Sequence, residues 1–415
     1  MEDYASRPRF YPGWLVVAAA FCGVAASYGP ILVFTFGIFL KPLDSEFGWG
    51  RESISTAFSI AAITVAVCAP ALGWLLDRLG SRRVVLTCMT LYGLTVASLS
   101  LLTPSLAHLY AASIVVGVVG NGTTQMGYAH AVSSWFTDRR GAALGLVVSA
   151  VGVGSIVFPV VAQRLIDFYG WRVAYLVLGG VALAMGLPLT ALFVRERPSE
   201  GEERVTTADG QRVSQALRSR GFWLLGAMLF LSSLALNGAV IHLSPLLTDR
   251  GIDPDLASLA VSVLGGASLG GRLFTGYLLD RYSGATISFG LLAGAAAGLL
   301  LLATVSRAGG GLVAAALIGL GLGGEADVTP YLLARYFGLR SLSTLYGLMW
   351  TAYAIGGAIG PVLMGRAFDA TRSYTHLLTL LSGVTLISAL LMLLLPAYPS
   401  LERLRGPGES GRVRA

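Results

Sequence analysis

The fold class this sequence predicts is an all-α membrane protein, with twelve transmembrane helices in two pseudo-symmetric six-helix bundles. Three observations predict it. Of 415 residues, 55% are hydrophobic and only 12% charged, with a mean hydropathy of +0.72, whereas soluble domains carry roughly 25% charged residues. Long stretches such as Gly13 to Leu40 and Ile287 to Val305 hold no charge at all, and about 20 mostly apolar residues suffice to cross a bilayer. The third observation is an internal repeat that halves the chain.

The helices are expected at roughly 12–40, 53–75, 84–103, 107–135, 141–164, 171–194, 222–247, 255–279, 285–306, 310–336, 343–366 and 375–396. The first is free of charge from Gly13 onward, and the second ends at the basic turn Asp77 to Arg83. The fourth carries Asn121, Gln125 and Tyr128, and the sixth opens at Gly170-Trp-Arg172. A polar connector, 195–221, precedes the seventh. The eighth and tenth contain the charges that fall away from helix ends, and the twelfth leads into a basic tail. The expected units are an N-terminal bundle (1–194), a solvated linker (195–221), a C-terminal bundle (222–397) and a tail (398–415). Twelve helices of about 22 residues and short loops take up roughly 260–300 residues, which leaves no room for an added soluble domain. The alternating strands of ~10 residues that build an outer-membrane barrel are absent.

Charge placement sets the expected orientation. Of 29 Lys and Arg residues, twenty fall on the side of the termini and linker and eight on the other, with Arg272 left inside a helix. That bias puts both termini in the cytoplasm, in a bacterial inner membrane. The net charge of +7 is explained by this loop bias, so a nucleic-acid partner is not expected. Cys22, Cys68 and Cys88 lie in apolar stretches, without metal or disulfide spacing; they read as small packing residues. Residues 1–11 are polar and the apolar run after them is too long for a signal core. No phosphate-binding G-x-x-x-x-G-K-[ST] loop or nucleophilic constellation is present, so no enzyme activity, cofactor or metal is expected.

The halves repeat at an offset near 202. Gly73 to Arg83 reads GWLLDRLGSRR and Gly276 to Tyr282 reads GYLLDRY; Arg164 to Asp167 falls against Arg366 to Asp369, and Pro159 against Pro361. Such repeats imply bundles related by symmetry, with a substrate site between them near the midplane. The pattern G-x-x-x-D-R-x-G-x-R-R resembles the loop signature of the major facilitator superfamily. The resemblance implies a cytoplasmic latch from Gly73, Asp77, Arg78, Gly80, Arg82 and Arg83, with Asp280 and Arg281 in the second half. This latch would hold the bundles together in the outward-open state. Phe36 to Phe58 (FGIFLKPLDSEFGWGRESISTAF), Gly170-Trp-Arg172, Gly323 to Phe337 and Gly357 to Tyr374 resemble the bacterial monocarboxylate and oxalate–formate porter branch of that superfamily.

Arg272, Glu325 and Asp327 lie inside helices, where a charge costs about 2.5–3.5 kcal/mol. Arg272 is eight residues before Asp280, about 12 Å of depth, and its repeat counterpart is Ala69. It reads either as a cation facing the cavity for a substrate carboxylate or as the partner of an acid in helix 10. Resemblance to the monocarboxylate porters favours the first. Asp327 is nine residues before Tyr336, at similar depth, and Glu325 is about 200° around the helix from it. One of the two is the candidate proton carrier and the other a pairing group, unless the glycines of 319–324 make Glu325 a packing group. Asn121, Gln125 and Tyr128 recur at i, i+4 and i+7, a polar stripe for a cavity or for joining helices. Tyr331, Tyr28, Asn237 and Tyr353 are further lining candidates. His242 reads as a lining group or a helix-to-helix hydrogen bonder.

Departures from the relatives narrow the reading. Pro30 is followed by Ile31 rather than lysine, Ser268 stands four residues before Arg272 where those carriers have aspartate, and no lysine lies between Ser343 and Arg366. One cavity cation suits a monovalent anion better than a dianion. The expected function is secondary active transport of a small organic anion, a monocarboxylate, by alternating access with the proton as candidate co-substrate. The protein is expected to act as a monomer in the lipid bilayer. The alternative is a proton-coupled exporter of drugs or hydrophobic metabolites, in which Arg272 would be structural. A non-transporting nutrient sensor would usually carry a long cytoplasmic extension, and the tails here are short.

Overall fold

The computed structural model describes residues 11–136, 140–195, 211–279, 281–338 and 341–396, apart from the side chains of Arg140, Ala326, Asp327 and Ser343. Most of the connector, the tail and Asp280 therefore lie outside the described residues. Twelve helices are long and apolar enough to span a membrane: α1 Gly13–Val33, α2 Gly50–Leu79, α3 Ser81–Leu101, α4 Leu106–Trp135, α5 Gly141–Tyr169, α6 Trp171–Phe193, α7 Arg220–Asp249, α8 Pro254–Leu279, α9 Gly284–Thr304, α10 Ala308–Phe337, α11 Thr344–Thr371 and α12 Thr375–Leu393. Several reach 30 residues, well beyond the roughly 20 a bilayer requires. They therefore tilt or project past the hydrocarbon, and α2 and α11 outrun the limits expected from hydropathy.

Each half buries its own core, which is why the chain folds as two bundles. Leu225, Leu264, Leu299, Leu332 and Leu378 belong to a cluster drawn from α7–α12. Phe39, Ile54, Met89, Leu109 and Leu178 belong to one drawn from the first half, joined from the second half by Ile241. The bundles meet where α2 packs on α11 and α5 on α8.

Two expected helices are interrupted. At Pro30, which cannot donate a backbone hydrogen bond, α1 widens into a π-helical turn over Tyr28–Val33 and then resumes as Phe36–Phe47. The fourth span breaks at Thr124, whose backbone is extended and whose hydroxyl accepts from the Met126 amide to cap the second segment. Helical phase is lost there, so Asn121, Gln125 and Tyr128 do not form the continuous stripe their spacing predicts. Non-helical backbone at membrane depth is tolerated where protein covers it; here the Thr123 hydroxyl accepts from the Tyr28 amide at 3.2 Å.

Glycines bring α8 and α10 into backbone contact. A β-carbon on Gly323 would fall 1.9 Å from the Ser268 carbonyl oxygen, and one on Gly319 would fall 2.3 Å from that of Leu264. This packing explains the glycine run before Glu325, and it sets Arg272 one turn beyond Ser268 on α8 and Glu325 about half a turn beyond Gly323 on α10.

Candidate functional site

A cavity of about 170 Å³ lies between the bundles. Its first-half wall comes from Val33, Phe34, Val148, Val151, Gly152 and Ser155. The second half adds Asn237 and Val240 on α7, Ser268, Leu269 and Arg272 on α8, Glu325 and Thr329 on α10, and Tyr346, Trp350 and Tyr353 on α11. A second chamber of about 200 Å³ shares Val33, Asn237, Trp350 and Tyr353 with the first and continues to Tyr28, Phe58 and Val65.

Arg272 is half-buried in a wall otherwise largely apolar. Glu325 is buried, and one carboxylate oxygen accepts from the Ser232 hydroxyl. The other oxygen, also buried, has no hydrogen-bond partner among the described atoms. Glu325 is thus tied to α7 by Ser232, while its second oxygen is left for water, substrate or a proton. Tyr353 lines the same cavity as Glu325 and Arg272. Its hydroxyl accepts from Asn237 at 3.2 Å, and its carbonyl accepts from the Ser233 hydroxyl at 2.6 Å. These bonds cross from α7 to α11 and fix the ring at the junction of the chambers.

The other expected lining residues divide. Tyr28 lines the second chamber. Asn121 instead donates to the Val65 carbonyl at 3.0 Å, joining α4 to α2. Tyr128 sits in the first-half core, with its hydroxyl 3.0 Å from that of Thr190. Gln125 is half-buried at the break in α4, and Tyr331 packs against the second-half core; neither borders the two chambers. The side chain of Asp327 lies outside the described residues.

Sequence reasoning missed the strongest polar contacts between the bundles, which gather on the face opposite the connector (the far face). Arg51 at the start of α2 is 3% exposed. Its guanidinium donates to both Asp249 carboxylate oxygens, at 2.6 and 3.0 Å, and to the Tyr374 hydroxyl. It also stacks 3.6 Å over the Phe368 ring. Lys41 reaches Asp249 at 2.9 Å and the Thr248 hydroxyl at 3.1 Å. Asp369 on α11 accepts the Arg51 and Glu52 amides at 3.0 and 2.8 Å, capping α2 from the opposite bundle, where a negative charge is favoured. His242 pairs with Ser55, the Pro361 carbonyl and Tyr374 at 3.0–3.1 Å; of its two readings, the structure favours the hydrogen bonder. The signal for this clasp in the sequence was weak, because charges at helix ends are ordinary in loops.

On the connector face, all the expected latch residues but Asp280 are described. Asp77, Arg78, Arg83 and Arg281 are exposed, and Gly73 faces Met126. Arg78 lies over Trp74 and Arg281 over Tyr277. Gly80 turns the chain at φ +80°, and Arg82 donates to the Ala191 carbonyl. The contacts described for these residues stay within one bundle.

Residues 14–361 match the Major Facilitator Superfamily. The chain belongs to that superfamily. Monocarboxylate transporter 13 of Bos taurus is 29% identical over 391 residues, covering 93% of this chain and 90% of the relative. The MFS transporter asaE of Aspergillus flavus is 28% identical, covering 90% and 84%. The MFS-type transporter YhjX of Escherichia coli is 25% identical, covering 78% and 81%. A bacterial homologue of the human lysosomal transporter Spinster, solved inward-facing and occupied, superimposes with a TM-score of 0.74 over 97% of this chain and 99% of that one, at 15% identity. That likeness shows the fold. This superfamily member is therefore a multi-pass integral membrane transporter of a small-molecule substrate and not an enzyme.

Proposed function

We propose that this transporter carries a small organic anion, a monocarboxylate, by alternating access of its two bundles. The observation that carries the reading is Arg272: a half-buried guanidinium in the wall of the cavity between the bundles, which is also lined by a buried carboxylate, Glu325, with one unpartnered oxygen. A guanidinium in an apolar wall binds a carboxylate through two parallel charge-assisted bonds. The names of the relatives agree with this chemistry.

Glu325 or Asp327 carries the coupled proton. Binding of the anion at Arg272 neutralises the nearby positive charge, and that favours protonation of an adjacent acid. Anion and proton then cross together. The clasp at Arg51 closes the far face, and the contacts described for the latch residues on the connector face stay within one bundle. This arrangement suits a state open toward the connector, which the basic bias of that side places in the cytoplasm. The protein works as a monomer.

The test is uptake of labelled short-chain monocarboxylates into proteoliposomes, with and without an inward proton gradient. Wild-type uptake should rise with the gradient, and Arg272→Ala should abolish it. Glu325→Gln should lose gradient stimulation while keeping anion exchange if Glu325 is the carrier. Retained anion uptake in Arg272→Ala would overturn the reading and favour the exporter of hydrophobic compounds, which the apolar walls would also suit.

A further inference from the structure

We infer that the monocarboxylate this transporter carries bears an aromatic ring, which lies against a ladder of aromatic side chains on α11. The inference rests on the monocarboxylate reading above and concerns the other end of the substrate.

Tyr346, Trp350 and Tyr353 follow one another at i, i+4 and i+7, so they share a face of α11. Their rings form a staircase. Tyr346 and Trp350 have centroids 6.2 Å apart at 29°, and Trp350 and Tyr353 are 5.0 Å apart at 14°. All three line the main cavity, and Trp350 and Tyr353 also line the second chamber. Trp350 is 42% exposed, although it stands in the wall of a cavity at the centre of the protein. A large apolar ring held in place by its neighbours, with part of its surface uncovered, is a surface on which a flat ligand gains area burial and offset stacking.

The charge distribution gives the ligand its direction. Arg272 is the one cation among the described lining residues of either chamber, so one carboxylate is satisfied and a second would be buried unpaired. Tyr353 and Arg272 line the same cavity, which puts the anion-binding end in the chamber that the ladder walls. Beyond Tyr353 the second chamber, lined by Tyr28, Phe58, Val65 and Ala354, holds no charge among its described walls. An aryl-substituted acid places its carboxylate on Arg272 and its ring on Trp350, where it covers the apolar surface that a short hydroxy or oxo acid would leave to water.

The experiment compares two acids with the same head group, phenylpyruvate and pyruvate, in proteoliposomes of wild type, Trp350→Leu, Trp350→Phe and Arg272→Ala. Phenylpyruvate should inhibit labelled pyruvate uptake at a concentration at least tenfold below that of unlabelled pyruvate, and should itself be transported. Trp350→Leu should shrink this preference at least fivefold, read as the ratio of the two acids' half-inhibitory concentrations, and Trp350→Phe should retain most of it. If Trp350→Leu abolishes uptake, the same ratio is read from binding of the two acids to the detergent-solubilised variant. Equal potency of the two acids in wild type, or a preference unchanged by Trp350→Leu, would overturn the inference. Loss of both acids in Arg272→Ala would then leave the monocarboxylate reading standing. Failure of wild type to bind or carry either acid would overturn both.

Discussion

Replacing Arg51 by alanine should shift the transporter toward states open on the far face. The side chain is 4% exposed and makes two bonds to Asp249, a third to Tyr374 and a stack on Phe368. All of these partners belong to the other bundle, so the loss falls on far-face-closed conformations and spares those in which the bundles have parted. Removing one member of a buried ion pair costs about 3–5 kcal/mol. Here Asp249 is 21% exposed and keeps Lys41 at 2.9 Å, which lowers the estimate to about 2–3 kcal/mol. At roughly 1.4 kcal/mol per factor of ten, the balance should move by about 30- to 150-fold. The assay is labelling by a membrane-impermeant thiol reagent applied from the far side. It uses a background in which Cys22, Cys68 and Cys88 are replaced and Ala354→Cys is introduced in the second chamber. The labelling rate should rise by about an order of magnitude or more in Arg51→Ala. The charge-reversed pair Arg51→Asp with Asp249→Arg should bring it back toward wild type. An unchanged rate in Arg51→Ala would refute the reasoning, because the contacts would then carry no difference in free energy between the two states.

Two further outcomes follow from the same face. Gly37 packs so closely on α7 that an added β-carbon would fall 2.1 Å from the Ile241 carbonyl oxygen; Gly37→Ala should therefore open the far face in the same labelling assay without altering any charge, and unchanged labelling would count against the close contact. Glu46 accepts from the Trp171 indole at 2.7 Å and from Arg172 at 3.0 Å, and these bonds hold its carboxyl below the ordinary range. A lowered pKa in the folded state stabilises above the unfolded value of about 4.3 and is lost as pH falls through the folded value. Thermal unfolding in detergent should accordingly lose stability on acidification below about pH 4, and Glu46→Gln should remove that part of the pH dependence; a mutant as acid-sensitive as wild type would rule out the assignment.

Much of the site was legible for a simple physical reason. A charge inside an apolar helix is costly and stands out, so Arg272 and Glu325 could be found from composition and depth alone, and both border the cavity. Asn237 and Tyr353 line both chambers and Tyr28 the second. The stripe on the fourth helix was not legible, because it assumed unbroken helical phase. One extended residue at Thr124 turns Tyr128 into the core and leaves Asn121 bonded to a neighbouring helix. The Phe36 to Phe58 run and Gly170-Trp-Arg172 stood out only as resemblances. In the folded chain they meet, as Trp171 and Arg172 hold Glu46, Phe47 stacks on Trp49, and Arg51 crosses to the other bundle.

The sequence by itself determined the twelve spans, the two halves and the buried charges, because the bilayer punishes polar groups residue by residue and each span must satisfy its own backbone. The far-face clasp and the aromatic ladder that lines the cavity with Arg272 were decided only by tertiary structure. They depend on which helix ends meet across the two bundles, and residues 198 positions apart such as Arg51 and Asp249 carry no local sign that they will be neighbours.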